Sequence, residues 1–231
     1  MDNDRAPDHV ERPAEDEQSE RQLHEVLRRS QGLGFLGPGS VEEHSLHAQV
    51  FLRIIEDRML HDLPSRDHLR ILDLGSGGGV PGLVLARALP RAQVVLLDAM
   101  QRRCRFLEEA VTTLQLAVSV DIWCGRAELL ARDQAARGGF DVVVARSFGP
   151  PAVTAECAVG FLRPMSALLL VSEPPVQDET RWPESGLSIL GLELGERRST
   201  EVATVQVIRS MAAPDERYPR RTGVPAKRPL F

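Results

Sequence analysis

A twelve-residue stretch that begins at Ile71, ILDLGSGGGVPG, constrains the fold more than any other part of the chain. It holds five glycines between residues 75 and 82, too many for a stable helix or strand, because glycine loses the most conformational freedom on folding. The apolar residues before them are typical of a buried strand, and Pro81 suits the first turn of a following helix. The stretch therefore predicts a strand, a tight turn and a helix, an arrangement in which a ligand lies against bare main chain.

Short apolar runs alternate with helical patterns from residue 70 onwards. The runs lie at 70–74, 93–98, 118–123, 140–146 and 166–172, and the helical patterns at 82–89, 101–115, 126–136 and 151–161. This alternation indicates a parallel sheet with helices on both faces, a doubly wound α/β fold. Two β-like runs at 187–198 and 201–210, joined by a tight connection, predict an antiparallel hairpin at the edge of the sheet.

The segment before the sheet is predicted to be helical. Residues 1–18 are polar and have little to bury, which is typical of a disordered tail. Ser19 is predicted to cap a first helix, and Ser40 with Glu43 forms a capping box for a second helix that Pro64 ends. The chain is thus divided into an acidic tail, a helical region, an α/β domain and a basic segment, at residues 1–18, 19–64, 65–216 and 217–231.

The positive charge is concentrated at the end of the chain. A formal net charge of −5 argues against a protein that coats nucleic acid generally. The last fifteen residues nevertheless carry no acid and five basic side chains, Arg217, Arg220, Arg221, Lys227 and Arg228. Three prolines exclude a continuous helix there, so we predict an extended segment that aligns its charges along a phosphate backbone. The alternative is a segment held against the domain by Tyr218, Leu230 and Phe231.

Cysteine content and hydropathy bear on the surroundings of the protein. Cys104, Cys124 and Cys157 are odd in number and show no metal-binding spacing, so we expect buried free thiols with neither a disulfide nor a metal site. No apolar run approaches the length of a membrane span, and the N-terminus has no hydrophobic leader. We therefore expect a cytoplasmic monomer without a membrane partner.

Two carboxylates frame the glycine turn and bear on the identity of its ligand. The glycines satisfy both a dinucleotide pattern and an acid-containing pattern through Asp73, Gly75 and Gly77. Asp73 would repel a pyrophosphate but suits a cation such as the sulfonium and amino group of S-adenosylmethionine; the plainer alternative is a carboxylate that caps the turn. Asp98 ends the second apolar run. An acid at this position of the fold accepts hydrogen bonds from ribose hydroxyls; the alternative is that Asp98 caps the helix at 101–115.

Three further residues follow later strands at the same edge of the sheet. Ala127 and Glu128 could frame an adenine, although an acid in the first turn of a helix is also favoured by the helix dipole alone. Arg146 emerges at the end of the fourth strand and is the candidate catalytic residue. Asp141 is a weaker candidate in the same run, and no histidine falls within these motifs.

Five segments together resemble a known family. They are DLGSGGGVPG (73–82), LLDAMQRRCRFLEE (96–109), GRAE (125–128), FDVVVARSFGP (140–150) and RYPRRTGVPAKRPL (217–230). In this order they resemble the motifs of the bacterial RsmG/GidB family, S-adenosylmethionine-dependent methyltransferases that modify a guanine N7 in 16S ribosomal RNA of the 30S subunit. The resemblance covers residues 70–230 and implies a class I methyltransferase sheet of seven strands with one strand reversed. It also places cofactor contacts at Gly75, Val80, Ala127, Glu128 and Arg146.

Two segments depart from the family pattern and leave alternatives open. Residues 19–64 lack the family's Trp-Asn and Asn-Leu-Thr signature, and the fifth strand ends in Ser172-Glu173 rather than Lys-Gly. A methyltransferase acting on a small molecule is therefore a second hypothesis. A nicotinamide-dependent oxidoreductase or a nucleotide-binding regulator is a third, because Arg102 and Arg103 could accept a 2′-phosphate.

Methylation of guanine N7 needs no general base, because this nitrogen carries a lone pair and no proton. Catalysis would therefore depend on the orientation of the guanine relative to the methyl group.

Overall fold

The computed structural model describes residues 12–60, 68–175 and 181–231. These residues contain one seven-stranded sheet in the order β3-β2-β1-β4-β5-β7-β6. The strands are β1 (Arg70–Leu74), β2 (Gln93–Asp98), β3 (Val120–Cys124), β4 (Val142–Ala145), β5 (Leu168–Glu173), β6 (Leu192–Ser199) and β7 (Thr204–Ser210). The first five run parallel, and β7 pairs antiparallel with both β5 and β6. The predicted α/β fold with an antiparallel edge hairpin is confirmed.

Helices cover both faces of the sheet. They are α1 (Arg12–Gly32), α2 (Val41–Met59), α3 (Gly82–Ala88), α4 (Gln101–Thr113), α5 (Ala127–Leu130), α6 (Pro151–Val159), α7 (Glu184–Ile189) and α8 (Val224–Lys227). Apolar side chains of α1 to α4 pack on one face, against residues such as Ile71 and Val144. Those of α5 to α7 pack on the other, against Leu72 and Val143. Consecutive strand residues thus enter opposite cores, which explains why the strands are apolar without interruption.

The N-terminal helices differ from the predictions at their ends. Helix α1 begins at Arg12, so the part of the predicted disordered tail from residue 12 to 18 is helical, while residues 1–11 lie outside the described residues. The low hydropathy of residues 12–18 predicted disorder, but Ala, Glu, Gln and Arg in this segment are good helix formers. The capping box of Ser40 and Glu43 at the start of α2 is confirmed. Helix α2 ends at Met59, and Pro64 is outside the described residues.

Two later boundaries are also corrected. The helical pattern at 126–136 gives only the single turn of α5. The first β-like run begins as helix α7, and β6 starts at Leu192 after Gly191, which has a left-handed φ of 68°. A glycine in this conformation ends the helix and redirects the chain into the strand. None of the described helices is long and apolar enough to cross a membrane.

The cysteine prediction was wrong for two of the three residues. Cys104 and Cys124 form a disulfide with a Cα–Cα distance of 5.8 Å, whereas Cys157 is free and buried as predicted. Cys124 ends β3 and pairs in register with Asp98, the last residue of β2, while Cys104 lies in the first turn of α4, which follows β2. The parallel pairing of β2 and β3 therefore brings together two cysteines that show no recognisable spacing in sequence.

The C-terminal segment is folded back onto the domain and is not extended as predicted. Tyr218 is buried in the core on the α6 side, with Leu230 and Phe231 packed against that core. The guanidinium groups of Arg132 and Arg137 donate hydrogen bonds to the carbonyls of Pro219 and Tyr218. The segment contains only the one-turn helix α8, which agrees with the proline argument. The alternative of a segment held by Tyr218 and the last two residues is thus the observed one.

Candidate cofactor-binding cleft

The glycine turn lies at the centre of the sheet, at the carboxyl end of β1. Strand β1 is flanked by β2 on one side and β4 on the other, so the strand order reverses here. The chains that leave β1 and β4 therefore separate to opposite faces, and a crevice opens between them. This topology positions the turn as one wall of a ligand-binding cleft.

Two glycines of the turn are required by close packing. Gly75 has a φ of 76°, and a Cβ atom there would lie 2.5 Å from the Phe148 ring. A Cβ atom on Gly82 would lie 2.2 Å from Leu96 and 2.5 Å from the carboxylate of Asp73. A larger side chain at either position would therefore displace the strand, the helix or Phe148.

Most of the backbone N–H groups of the turn donate within the protein. The bonds run from Gly75 and Ser76 to the Leu97 carbonyl (2.8 and 2.9 Å), from Gly77 to Asp98 Oδ2 (2.9 Å) and from Gly82 to Asp73 Oδ2 (2.9 Å). A pyrophosphate bound at a helix N-terminus in the dinucleotide manner needs such groups free. The turn therefore favours a cofactor that contacts it without phosphates and argues against the nicotinamide alternative.

Asp73 caps the turn, which is the plainer of the two roles that the sequence allows for it. Its side chain accepts the N–H of Gly82 at the start of α3 and is 1% exposed. Burial raises the pKa of Asp73 to about 7, against the lowering effect of the Gly82 hydrogen bond. A contact with a sulfonium or amino group remains a prediction.

Asp98 joins the turn to the end of β2. Its Oδ2 accepts from Gly77, and its Oδ1 accepts from the backbone of Met100 at 2.8 Å. The side-chain oxygens do not cap α4, whose N-cap is Met100 without a side-chain cap. Asp98 lines the larger cavity with Arg103 at 3.5 Å, and its contact with a ribose stays a prediction.

Two adjoining cavities form the cleft. The larger, of about 410 Å³, is lined by Gly75, Asp98, Met100, Ala127, Glu128 and Phe148 among others. The smaller, of about 320 Å³, is lined by Gly77, Val80, Arg146, His44 and the segment 35–38. Gly75, Arg103 and Ser147 line both cavities. Every predicted cofactor residue except Asp73 therefore lines one of them, and their polar groups fit an adenosine with an attached amino-acid group.

Glu128 closes the larger cavity together with the C-terminal segment. Its Oε1 accepts the N–H of Gly223 at 2.9 Å and a guanidinium N–H of Arg126 at 3.1 Å. Burial acts to raise the pKa of this carboxyl, but these hydrogen bonds hold it below its ordinary value. Ala226 of α8 lines the same cavity. The C-terminal segment is thus part of the wall on the proposed adenine side.

Arg146 follows β4 and faces the smaller cavity. Its Nη2 lies 2.6 Å from Nδ1 of His44, and it forms no ion pair with a carboxylate of the described ranges. Burial lowers the pKa of the guanidinium, while the carboxyl of Asp73 acts to raise it. An arginine remains protonated under such conditions, so the cavity wall is cationic.

Two histidines of α2 near Arg146 were not among the predicted site residues. His44 lines the smaller cavity, and His47 Nε2 lies 2.9 Å from the hydroxyl of Ser172 at the end of β5. Burial and the nearby charge of Arg146 lower the pKa of His47 to about 4. Their spacing of three residues puts both rings on one helix face. This spacing is visible in the sequence, but neither histidine lies in a cofactor motif.

The basic residues of the C-terminal segment differ in their surroundings. Arg220 forms a two-nitrogen ion pair with the buried carboxylate of Glu156. Arg217 pairs with Asp215 at 3.7 Å and lies over the ring of Tyr218. The side chains of Arg221, Lys227 and Arg228 are exposed and have no side-chain partner in the part of the chain that the structure describes. These three are the available contacts for a polyanion.

Asp141, the weaker candidate, lies away from the cleft. Asp141 precedes β4 at the opposite end of the sheet, where it accepts from the backbone of Arg70 at 2.9 Å and pairs with Arg163. It therefore stabilises the fold and does not reach the cavities. Among residues 12–60, 68–175 and 181–231, no group of three potential ligands could hold a metal ion.

Comparison with known proteins identifies the family. The sequence model of GidB, described as rRNA small subunit methyltransferase G, matches residues 45–195. The ribosomal RNA small subunit methyltransferase G of Rubrobacter xylanophilus is 34% identical over 179 residues, which cover 72% of this chain and 67% of that protein. The protein of the same name from Thermotoga sp. is 35% identical over 176 residues, covering 73% and 76%. The chain belongs to this family.

Membership of the rRNA small subunit methyltransferase G family fixes the enzyme class. The chain is an S-adenosylmethionine-dependent methyltransferase, as the motifs predicted. Solved structures are similar in fold: cofactor-bound Rv0187 from MTB (TM-score 0.56, 16% identity, covering 84% of this chain and 91% of that one) and the [4+2]-cyclase SpnF (TM-score 0.52, 16% identity, 69% and 79%). The predicted class I methyltransferase fold is confirmed.

Proposed function

We propose that this methyltransferase transfers the methyl group of S-adenosylmethionine to N7 of a guanine in 16S ribosomal RNA. The observation that carries the proposal is the assembly, at the switch point of the sheet, of two joined cavities lined by every predicted cofactor residue except Asp73. The relatives' shared name, ribosomal RNA small subunit methyltransferase G, supports ribosomal RNA as the substrate class.

The cofactor is assigned to the two cavities by their chemistry. Asp98 would accept hydrogen bonds from the ribose, and Ala127 with Glu128 would frame the adenine in the larger cavity. Gly75 is shared by both cavities, so the cofactor can continue along the turn towards Arg146. When bound, the cofactor supplies an electrophilic methyl group.

The protein's contribution to the reaction is orientation of a guanine and exclusion of water. Guanine N7 attacks with its own lone pair, so no side chain has to remove a proton. The cleft therefore needs to hold the base in line with the methyl group.

The exposed basic residues supply the proposed contact with RNA. Lys227 and Arg228 directly follow Ala226, which lines the larger cavity, and Arg221 precedes it on the same segment, so we expect their charges near the rim of the cleft. Such residues neutralise phosphates and make binding depend on salt. Arg220 is held by Glu156 and supports the segment that carries them.

We further propose that the protein acts as a monomer in the cytoplasm.

The test is transfer of a labelled methyl group to 30S subunits, naked 16S RNA and a panel of metabolites. We expect label in RNA, loss of label with Arg146→Ala, and normal transfer with Asp121→Asn, a change of an exposed acid on β3. Incorporation into a small molecule but not into either RNA would overturn the RNA assignment and favour the small-molecule hypothesis.

A further inference from the structure

His44 connects the N-terminal helices to the cleft through both nitrogens of its ring. It is 6% exposed, with Nδ1 at 2.6 Å from Arg146 Nη2 and Nε2 at 3.1 Å from the carbonyl oxygen of Gly37. A guanidinium can only donate, so Nδ1 must accept. The carbonyl can only accept, so Nε2 must carry the proton. The two contacts therefore fix one neutral tautomer of His44.

Because the His44 ring is neutral, its hydrogen bond to Arg146 does not cancel the positive charge of the guanidinium. Elsewhere in the described structure, buried carboxylates neutralise arginines: Glu156 pairs with Arg220, and Glu173 pairs with Arg181. Arg146 instead rests on an imidazole lone pair, and the carboxyl that influences it, Asp73, has its pKa raised to about 7 and is bonded to Gly82. The guanidinium is thus oriented while its positive charge stays available to a ligand.

The surroundings of Arg146 show which ligand this charge meets. The smaller cavity is lined by Arg146, the glycine turn and the segment 35–38, and Gly75 joins it to the larger cavity. A cofactor with its adenosine in the larger cavity extends its amino-acid end into the smaller one. The anionic group at that end is a carboxylate, and an arginine binds a carboxylate strongly because both partners are charged.

We propose that His44 is a positioning residue that holds Arg146 for the carboxylate of the methionyl part of the cofactor. The inference rests on the proposed function for the placement of the cofactor. Loss of His44 should weaken binding of any ligand that carries this carboxylate and should spare a ligand that lacks it. The neutral character of His44 is essential to the role, because a carboxylate in its place would occupy Arg146.

The experiment compares S-adenosylhomocysteine with 5′-methylthioadenosine, which lacks the amino-acid end, by calorimetry on the full chain. His44→Ala should weaken S-adenosylhomocysteine about tenfold, the size expected for a charge-assisted hydrogen bond, and leave 5′-methylthioadenosine unchanged. His44→Glu should weaken it at least as much, since it cancels the charge of Arg146. His44→Asn, which keeps an acceptor near the position of Nδ1, should lose less. The exposed His68 provides the matched control, His68→Ala.

A double mutant separates positioning from a structural role. In an Arg146→Ala background, a further His44→Ala change should cost no more affinity, because the two residues act through one contact. If it costs as much as it does in the native background, His44 acts by holding Gly37, and the proposal is overturned.

Two further results bear on the proposal and on the proposed function separately. If His44→Ala raises the KM for RNA while both ligands bind unchanged, Arg146 meets a phosphate of the substrate and the proposal fails. Failure of the native protein to bind S-adenosylhomocysteine would overturn the proposed function itself and this inference with it. Native binding that is insensitive to His44 overturns the inference alone.

Discussion

Removing the side chain of Arg220 should destabilise the protein far more than removing that of its neighbour Arg221. The carboxylate of Glu156, on α6, is 0% exposed and accepts three hydrogen bonds from Arg220, from the backbone N–H at 2.8 Å and from Nε and Nη2 at 2.7 and 2.6 Å. Arg221 is exposed and has no side-chain partner within the described ranges. The two adjacent arginines thus form a matched pair for one experiment.

The expected size of the effect follows from the burial of Glu156. Breaking a buried ion pair by removing one partner costs about 3–5 kcal/mol, because the remaining charge is uncompensated. The Arg220 side chain is 25% exposed, so water reaches the vacated position and the lower end of this range, about 3 kcal/mol, applies. In a domain of this size each kcal/mol lowers Tm by about 2–4 °C, so Arg220→Ala should lower it by about 6–12 °C. Arg221→Ala should stay within about 0.5 kcal/mol.

Denaturant and thermal unfolding of three variants test this reasoning. The double variant Glu156→Gln with Arg220→Ala should be more stable than Arg220→Ala alone, because glutamine carries no charge to leave unpaired. Equal Tm values for Arg220→Ala and Arg221→Ala would show that the ion pair contributes nothing. A double variant no better than the single one would show that lost packing, and not the buried charge, causes the effect.

Three other predictions concern the cleft. Asp98→Ala should weaken binding of S-adenosylhomocysteine by about 1–3 kcal/mol in calorimetry, and unchanged affinity would remove its ribose role. The pKa of Asp73 is raised from 3.8 to about 7 in the folded state, so its contribution to stability is complete below pH 3.8 and is lost as pH rises to 7. Asp73→Asn should therefore reduce the fall in the free energy of unfolding between pH 3.8 and about 7, and identical pH profiles for the two proteins would contradict the shift. Truncation after Glu216 should lower cofactor affinity as well as RNA methylation, because Gly223 bonds to Glu128 and Ala226 lines the cavity; unchanged cofactor affinity in the truncated protein would show that the segment does not support the cofactor site.

The parts of the site that the sequence predicted share one physical basis. Residues that follow parallel strands meet at one edge of the sheet whatever their separation in the chain, so Gly75, Asp98, Glu128 and Arg146 could be placed together from strand patterns. The strands at 70–74 and 93–98 were found at their predicted bounds, since long apolar runs with clear ends define them.

The features that the sequence could not predict depend on contacts between distant segments. Arg220 lies 64 residues from Glu156, and a cluster of basic residues is usually a solvated surface. His44 lies 102 residues from Arg146, on a helix that shows only an apolar stripe. Neither pairing has a local signal, because each is decided by how the helices pack on the sheet.

One such contact joins the two segments that depart from the family pattern. His47 of α2 contacts Ser172 at the end of β5, with 2.9 Å between Nε2 and the hydroxyl oxygen. The atypical N-terminal region and the Ser172-Glu173 ending are therefore neighbours in the structure.

The most direct measurement of the central claim is the chemical identity of the methylated nucleoside. Unmethylated 30S subunits are incubated with the protein and S-adenosylmethionine, and the 16S RNA is digested to nucleosides and analysed by mass spectrometry against standards. The account predicts one new N7-methylguanosine per subunit, absent when Arg146→Ala replaces the native protein. Methylation at a guanine position that bears a proton, or on another base, would contradict it, because the cleft is proposed to act by orientation without a general base.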